Sequence, residues 1–226
     1  MPFQTLPYWL QISVFFLALN AGMINVLCLT NALHQAVTHT TGNVSMFAIS
    51  LVQWQPQTLL FLLLIIICYI IGAFYSGFIL GNNAVQMNKL YGLPLTLVTV
   101  CLFLCWFFMA YWQHYALLWA AVAMGIQNAM ISHYKGTIIR TTHLTGVMTD
   151  LGLALGYFLR GLEVPPRRVI LHLLIIFGFL SGGLIGASVT NLLKLNAFLL
   201  PVFLSGALSL IYWILYLRYL NSSKGW

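Results

Sequence analysis

Residues 125–146 read Gly-Ile-Gln-Asn-Ala-Met-Ile-Ser-His-Tyr-Lys-Gly-Thr-Ile-Ile-Arg-Thr-Thr-His-Leu-Thr-Gly. The stretch leaves an apolar run through Gln127 and Asn128 and crosses a polar segment. It ends in a Thr-His-Leu-Thr-Gly turn, from which a new apolar segment starts. The same signs recur earlier in the same order: Gly22-Met23-Ile24-Asn25, then Thr38-His39-Thr40-Thr41-Gly42. The upstream match is offset by 103 residues and the downstream one by 104, so one inserted residue reconciles them. Around both, the runs follow one order: span, polar turn, short helix, span, span. The expectation is a single integral membrane domain, 1–226, made of two structural repeats, about 7–112 and 113–219.

Working outward, five long apolar runs stand at Thr58–Leu80, Leu95–Trp112, Tyr115–Ile131, Val169–Val189 and Ala197–Leu217. Each approaches the ~20 residues a helix needs to cross the hydrocarbon core. A sixth, Tyr8–Leu29, is interrupted by Asn20, Gly22 and Asn25. It reads as a retained span, because the preceding residues lack a basic region and a cleavage site. Hydrophobic residues make up 62% of the chain and charged ones 5%, where a soluble domain carries about 25% charged. The partner solvent is therefore a lipid bilayer, and the fold class an all-α membrane protein. The net charge of +7 comes from basic residues scattered singly between apolar runs. That pattern signals topology and headgroup contact, not nucleic-acid binding.

Two segments, Val44–Trp54 and Val147–Leu159, are too short to span comfortably. As re-entrant or broken helices they leave six full spans; as spans they make eight. Charge arbitrates. With six spans, Lys89, Lys135, Arg140, Arg160, Arg167, Arg168, Arg218 and Lys224 fall on one side and only Lys194 on the other. With eight, the split is five against four. The positive-inside rule favours six spans plus two short helices, with both termini cytoplasmic, in a cell membrane such as the bacterial inner membrane. Three full spans per half is an odd number, so the second repeat would insert upside down relative to the first, as in many transporters.

In that arrangement the two turns would approach each other from opposite faces. A helix N-terminus carries free N–H groups and a partial positive charge. Thr41 and Thr145 are expected as caps, and Gly42 and Gly146 allow close backbone approach. Facing N-termini would suit an anion or a polar neutral solute; the alternative is that these residues only satisfy buried irregular backbone. His39 and His143 occupy matching positions and suit proton relay or solute contact. No third or fourth ligand stands at a metal-binding spacing.

Asp150 is an acid inside a short helix, with Arg140 as its expected partner; the repeat places Met46 opposite it. An intramembrane acid suggests function, and a structural ion pair is the alternative. Glu163, beside Pro165-Pro166-Arg167-Arg168, reads as a loop residue. Asn25, Asn43, Gln127 and Asn128 join the candidate path, with interhelical hydrogen bonding as the alternative role for Asn25, Gln127 and Asn128. Gly178, Gly182 and Gly186 are spaced by four, which suits helix packing first and a homo-oligomer face second. Cys28, Cys68, Cys101 and Cys105 sit singly in apolar runs and read as packing residues. Trp and Tyr near run ends suit interfacial belts. No cofactor motif is present.

On Gly22-Met23-Ile24-Asn25, Thr41-Gly42-Asn43 and, above all, Gly125-Ile126-Gln127-Asn128 followed by Arg140 to Gly146, the chain resembles the YoaK family of multi-pass membrane proteins, a domain of unknown function. The resemblance covers essentially the whole chain. It implies an integral membrane location and no settled activity. Many members of that family carry an acid where this chain has Asn25.

The functional expectation is a small-solute transporter or channel, with or without proton linkage. One alternative is an intramembrane enzyme using His143 and Asp150 as acid and base, although no nucleophile motif accompanies them. Another is a non-transporting assembly or sensory subunit.

Overall fold

The computed structural model describes residues 8–31, 33–81, 89–131, 133–134, 137–138 and 140–223. Lys135 and Lys224, which entered the charge count, lie outside them. Eight α-helices follow in order: α1 Tyr8–Thr30, α2 Thr40–Val52, α3 Pro56–Leu80, α4 Lys89–Met109, α5 Gln113–Met130, α6 Leu144–Leu159, α7 Pro166–Leu193 and α8 Leu199–Ser223. A two-residue antiparallel ladder, β1 His133–Tyr134 with β2 Thr137–Ile138, precedes α6. A 3-10 turn, Lys194–Phe198, separates α7 from α8.

The helices fall where the apolar runs lie, and they extend them at polar ends. Pro56 and Pro166 stand in the first turns of α3 and α7, where a missing N–H costs nothing. Helix α4 begins at Lys89, ahead of its apolar run, and carries Pro94 within its second turn. Among the described residues, four stretches are long and apolar enough to cross a membrane: Tyr8–Thr30, Pro56–Leu80, Leu90–Met109 and Pro166–Asn221. The last contains both α7 and α8. Phe74, Phe78, Leu159, Leu184, Phe203 and Leu210 all face outward, a surface tolerable only in lipid.

The two largest packing interfaces are α1 with α7 and α3 with α5, and glycine makes both. A Cβ on Gly22 would overlap the Phe179 carbonyl, and one on Gly182 would overlap the Leu19 carbonyl. In the other pair, Gly125 meets the Tyr69 carbonyl and Gly72 the Val122 carbonyl. The two crossings match contact for contact. Gly22 and Leu19 correspond to Gly125 and Val122, 103 residues on; Tyr69 and Gly72 correspond to Phe179 and Gly182, 110 residues on. Without side chains at these points the backbones approach closely, which is how apolar helices gain van der Waals energy in lipid. Gly178 and Gly186 also pack on α1, against Phe15 and Met23. The four-residue glycine stripe is therefore covered within the chain.

Within each pair the helices run parallel. Along α1 and α7, Phe15 meets Gly178, Met23 meets Gly186 and Thr30 meets Thr190. Along α3 and α5, the Phe61 and His114 rings stack edge to face and Tyr69 meets Asn128. Helices α4 and α8 pack antiparallel: Tyr91 lies on Tyr212, Thr96 bonds Ser209, and Trp106 reaches Asn196. The short helices flank the bundle, α2 along α3 and α6 along α7.

Candidate functional site

Both turns are fastened to the helix that precedes them. In the first, the Thr38 hydroxyl donates to Asn25 Oδ1 within α1. In the second, the Thr142 N–H donates to Asn128 Oδ1 within α5, and Gln127 Nε2 donates to Thr141 Oγ1. Asn25 and Asn128 each stand three residues past the crossing glycines Gly22 and Gly125, a rise of about 4.5 Å. The chain therefore folds back beside the C-terminal parts of α1 and α5 before the short helices start.

Histidine, not threonine, occupies the N-cap of each short helix. His39 and His143 have non-helical backbone (φ −94° and −90°) and make no side-chain capping bond. Their rings instead lie over the first turn. A Cβ on Gly42 would come 2.5 Å from His39 Nδ1, and one on Gly146 would come 2.6 Å from His143 Nδ1. Glycine three residues after histidine thus makes room for the imidazole. Thr41 and Thr145, expected as caps, sit one residue inside the helix; their carbonyls accept from Ser45 and Thr149, at 3.1 and 2.8 Å. The capping expectation failed because each helix starts two residues before a threonine-capped one would, which leaves Thr41 and Thr145 inside its first turn.

The polar amides divide by role. Asn43 is buried; it accepts from Gln35 Nε2 at 2.6 Å and donates to the Ala36 carbonyl at 2.9 Å, closing the first loop on itself. Gln127 is buried between helices, accepting from Asn20 Nδ2 at 2.9 Å and donating to the Leu17 carbonyl at 3.0 Å. It joins α5 to α1. Asn128 donates to Tyr69 Oη at 2.8 Å. These are the interhelical bonds expected of amides in lipid.

The candidates of the second turn, Arg140, His143, Thr145, Gly146 and Asp150, gather around one cavity of about 490 Å3. Its wall is built from Arg140, His143, Thr145, Gly146, Val147, Thr149 and Asp150 on one side and Leu171, His172 and Ile175 of α7 on the other. The lining comes from the second half alone. His39, Thr41 and Gly42 stand at the first turn, beside α3, so the expected shared centre between facing turns becomes a one-sided site.

Asp150 is held by α7. Arg168 Nη2 donates to its Oδ2 at 3.1 Å, and His172 Nε2 lies 3.6 Å from the same oxygen. Arg140, expected as the partner of Asp150, lines the cavity while Arg168 takes the ion pair. Arg168 and His172 are one helical turn apart, so they share a face of α7. His172 is 5% exposed, and its Nδ1 has no hydrogen-bond partner among the described residues. Neither Arg168 nor His172 was expected here. The available signal was a histidine inside the apolar run Val169–Val189, four residues after a basic pair-end.

At the corresponding place in the first half stand Met46, Leu62 and Ile65 instead of Asp150, His172 and Ile175. Leu62 and Ile65 are fully buried. The charged cluster thus belongs to one half of a matched framework.

A bundle of long apolar helices with a cavity beside the short helix α6 defines a helical membrane protein. The chain matches a protein family over residues 13–211. It belongs to that family, described as "Protein of unknown function (DUF1275)". No curated protein and no solved structure matches it significantly.

Proposed function

We propose that the protein moves a small anionic or polar solute across a cell membrane, bound in the cavity at the start of α6. The carrying observation is the charge balance there. Arg168 neutralises Asp150, which leaves Arg140 and the α6 N-terminus as an uncompensated positive surface beside His143. In a low-dielectric setting such a surface favours an anion.

The same reading takes the chain as an inverted repeat of six spans and two re-entrant helices. Two features support it: the matched glycine crossings and the antiparallel packing of α4 on α8. The helix directions place Arg167, Arg168, Arg218 and the start of α4 at one end of the bundle and Lys194 at the other. That asymmetry favours a cytoplasmic location for both termini, in a bacterial inner membrane. The narrower kinship with YoaK rests on the Gly125–Asn128 and Arg140–Gly146 motifs.

Reconstituted vesicles provide the test. Uptake of organic anions, amino acids and nucleobases is measured for the wild type, Arg140→Gln and Thr145→Val. The proposal expects saturable uptake of at least one anionic class, reduced at least about tenfold by Arg140→Gln, equivalent to 1.4 kcal/mol. Absence of protein-dependent flux for every class would overturn it.

A further inference from the structure

We propose that the cavity takes up a small organic monoanion with an apolar body together with one proton, and that His172 holds the proton. The inference rests on the anion reading of the site and deepens it. The cavity has two kinds of wall. Arg140, His143 and Thr145 offer charge and hydrogen bonds, whereas Val147, Leu171 and Ile175 are apolar and largely buried. A ligand that fits both has an anionic head and an apolar body.

The proton follows from His172. Its ring is buried and lines the cavity, and its Nδ1 has no partner among the described residues. A buried polar atom of this kind costs stability unless something bonds it in another state. The charged groups around it are few. Helix α6 presents Asp150 3.6 Å from Nε2 and, further along the cavity wall, His143. Its own helix presents Arg168, already paired to Asp150. The loop before α6 contributes Arg140. From α1 the neighbouring cluster receives the apolar Leu10, Val14, Leu17 and Ala18. An imidazolium at His172 would have Asp150 beside it, but it would add positive charge to a site that already carries a surplus. A bound anion cancels that surplus. Anion and proton therefore favour each other, and by linkage each raises the affinity for the other equally. Histidine titrates in the range where a modest proton gradient can use this coupling.

The test uses the full chain in nanodiscs. Benzenesulfonate is the main probe, because it stays ionised throughout; benzoate is the carboxylate comparison, and benzamide the neutral control. Binding is measured by titration calorimetry from pH 8.5 to 5.5. The expectation is that affinity for both anions rises toward about tenfold per pH unit on the alkaline side of the histidine range and then levels. Benzamide should bind at least tenfold more weakly than benzoate at pH 6. His172→Asn should bind with little pH dependence, while His143→Asn weakens binding yet keeps the slope. Wild-type titrations in two buffers of different ionisation enthalpy should show one proton taken up per anion near pH 7.5, an observation that needs no variant to fold. Wild-type binding that is flat with pH, a slope that survives in His172→Asn, or no proton uptake would overturn the proton coupling and leave the anion site standing. No binding of either anion at any pH, or equal binding of benzamide, would overturn the anion site and this inference with it.

Discussion

The two turns of this molecule share a backbone and differ in chemistry. Each begins with a histidine lying over a glycine, each is fastened to an amide on the preceding helix, and each is followed by a hydroxyl bonded back to the helix's second residue. Behind the first turn stand Met46, Leu62 and Ile65; behind the second stand Asp150, His172 and Ile175 with Arg168. The framework that positions a turn is thus separable from the groups that would act there. Two substitutions, Met46 for Asp150 and Leu62 for His172, and one charged neighbour distinguish the first turn's surroundings from the second's.

The comparison can be broken first at the crossings. Gly22→Leu, Gly72→Leu, Gly125→Leu and Gly182→Leu should each abolish the monodisperse folded peak in fluorescence-detected size exclusion, since each side chain would enter a facing backbone. Gly77→Leu, where a side chain meets open space, should leave that peak intact. If only one pair of crossings were sensitive, their equivalence would not be energetic.

A smaller effect is expected from moving charge between halves. Met46→Asp places an unpaired acid in the first short helix and should cost about 3 kcal/mol on insertion scales, read as a drop in the melting temperature. Adding Thr58→Arg and Leu62→His, the counterparts of Arg168 and His172, should recover part of that drop. Recovery that fails to exceed the sum of the single changes would mean the frameworks do not superpose at these positions.

Next comes the bond that joins the halves. Gln127→Leu leaves Asn20 without its partner and should cost about 1 kcal/mol, typical of an interhelical hydrogen bond in a membrane. The least change is expected from Gly42→Ala and Gly146→Ala. Each displaces only an exposed imidazole, so stability should shift by under about 1 kcal/mol, yet Gly146→Ala alone should lower solute uptake. Equal loss of uptake in both variants would show that the first turn also lines the path.

The sequence displayed the helices well, because apolar runs bounded by Pro, Gly and charge leave few choices in a lipid solvent. It also displayed the paired turns through Thr-His-x-Thr-Gly. It did not display where the short helices begin: backbone bonding starts at Thr40 and Leu144, so His39 and His143 take the N-cap position without a side-chain capping bond. Asp150 was legible as an isolated acid. Its partner was not, because Arg140 is near it in the chain whereas Arg168 reaches it only after α7 packs on α6. Asn20 read as a blemish in a span; its role as the bond to Gln127 depends on a contact between helices far apart in sequence.

Because the first helix of each half clasps the third helix of the other, neither half is a self-sufficient folding unit. During synthesis the groove beside Gly22 stays empty until the segment around Phe179 has been made. Assembly must therefore finish late, and a chain cut between α4 and α5 should regain its shape only when both fragments are produced together.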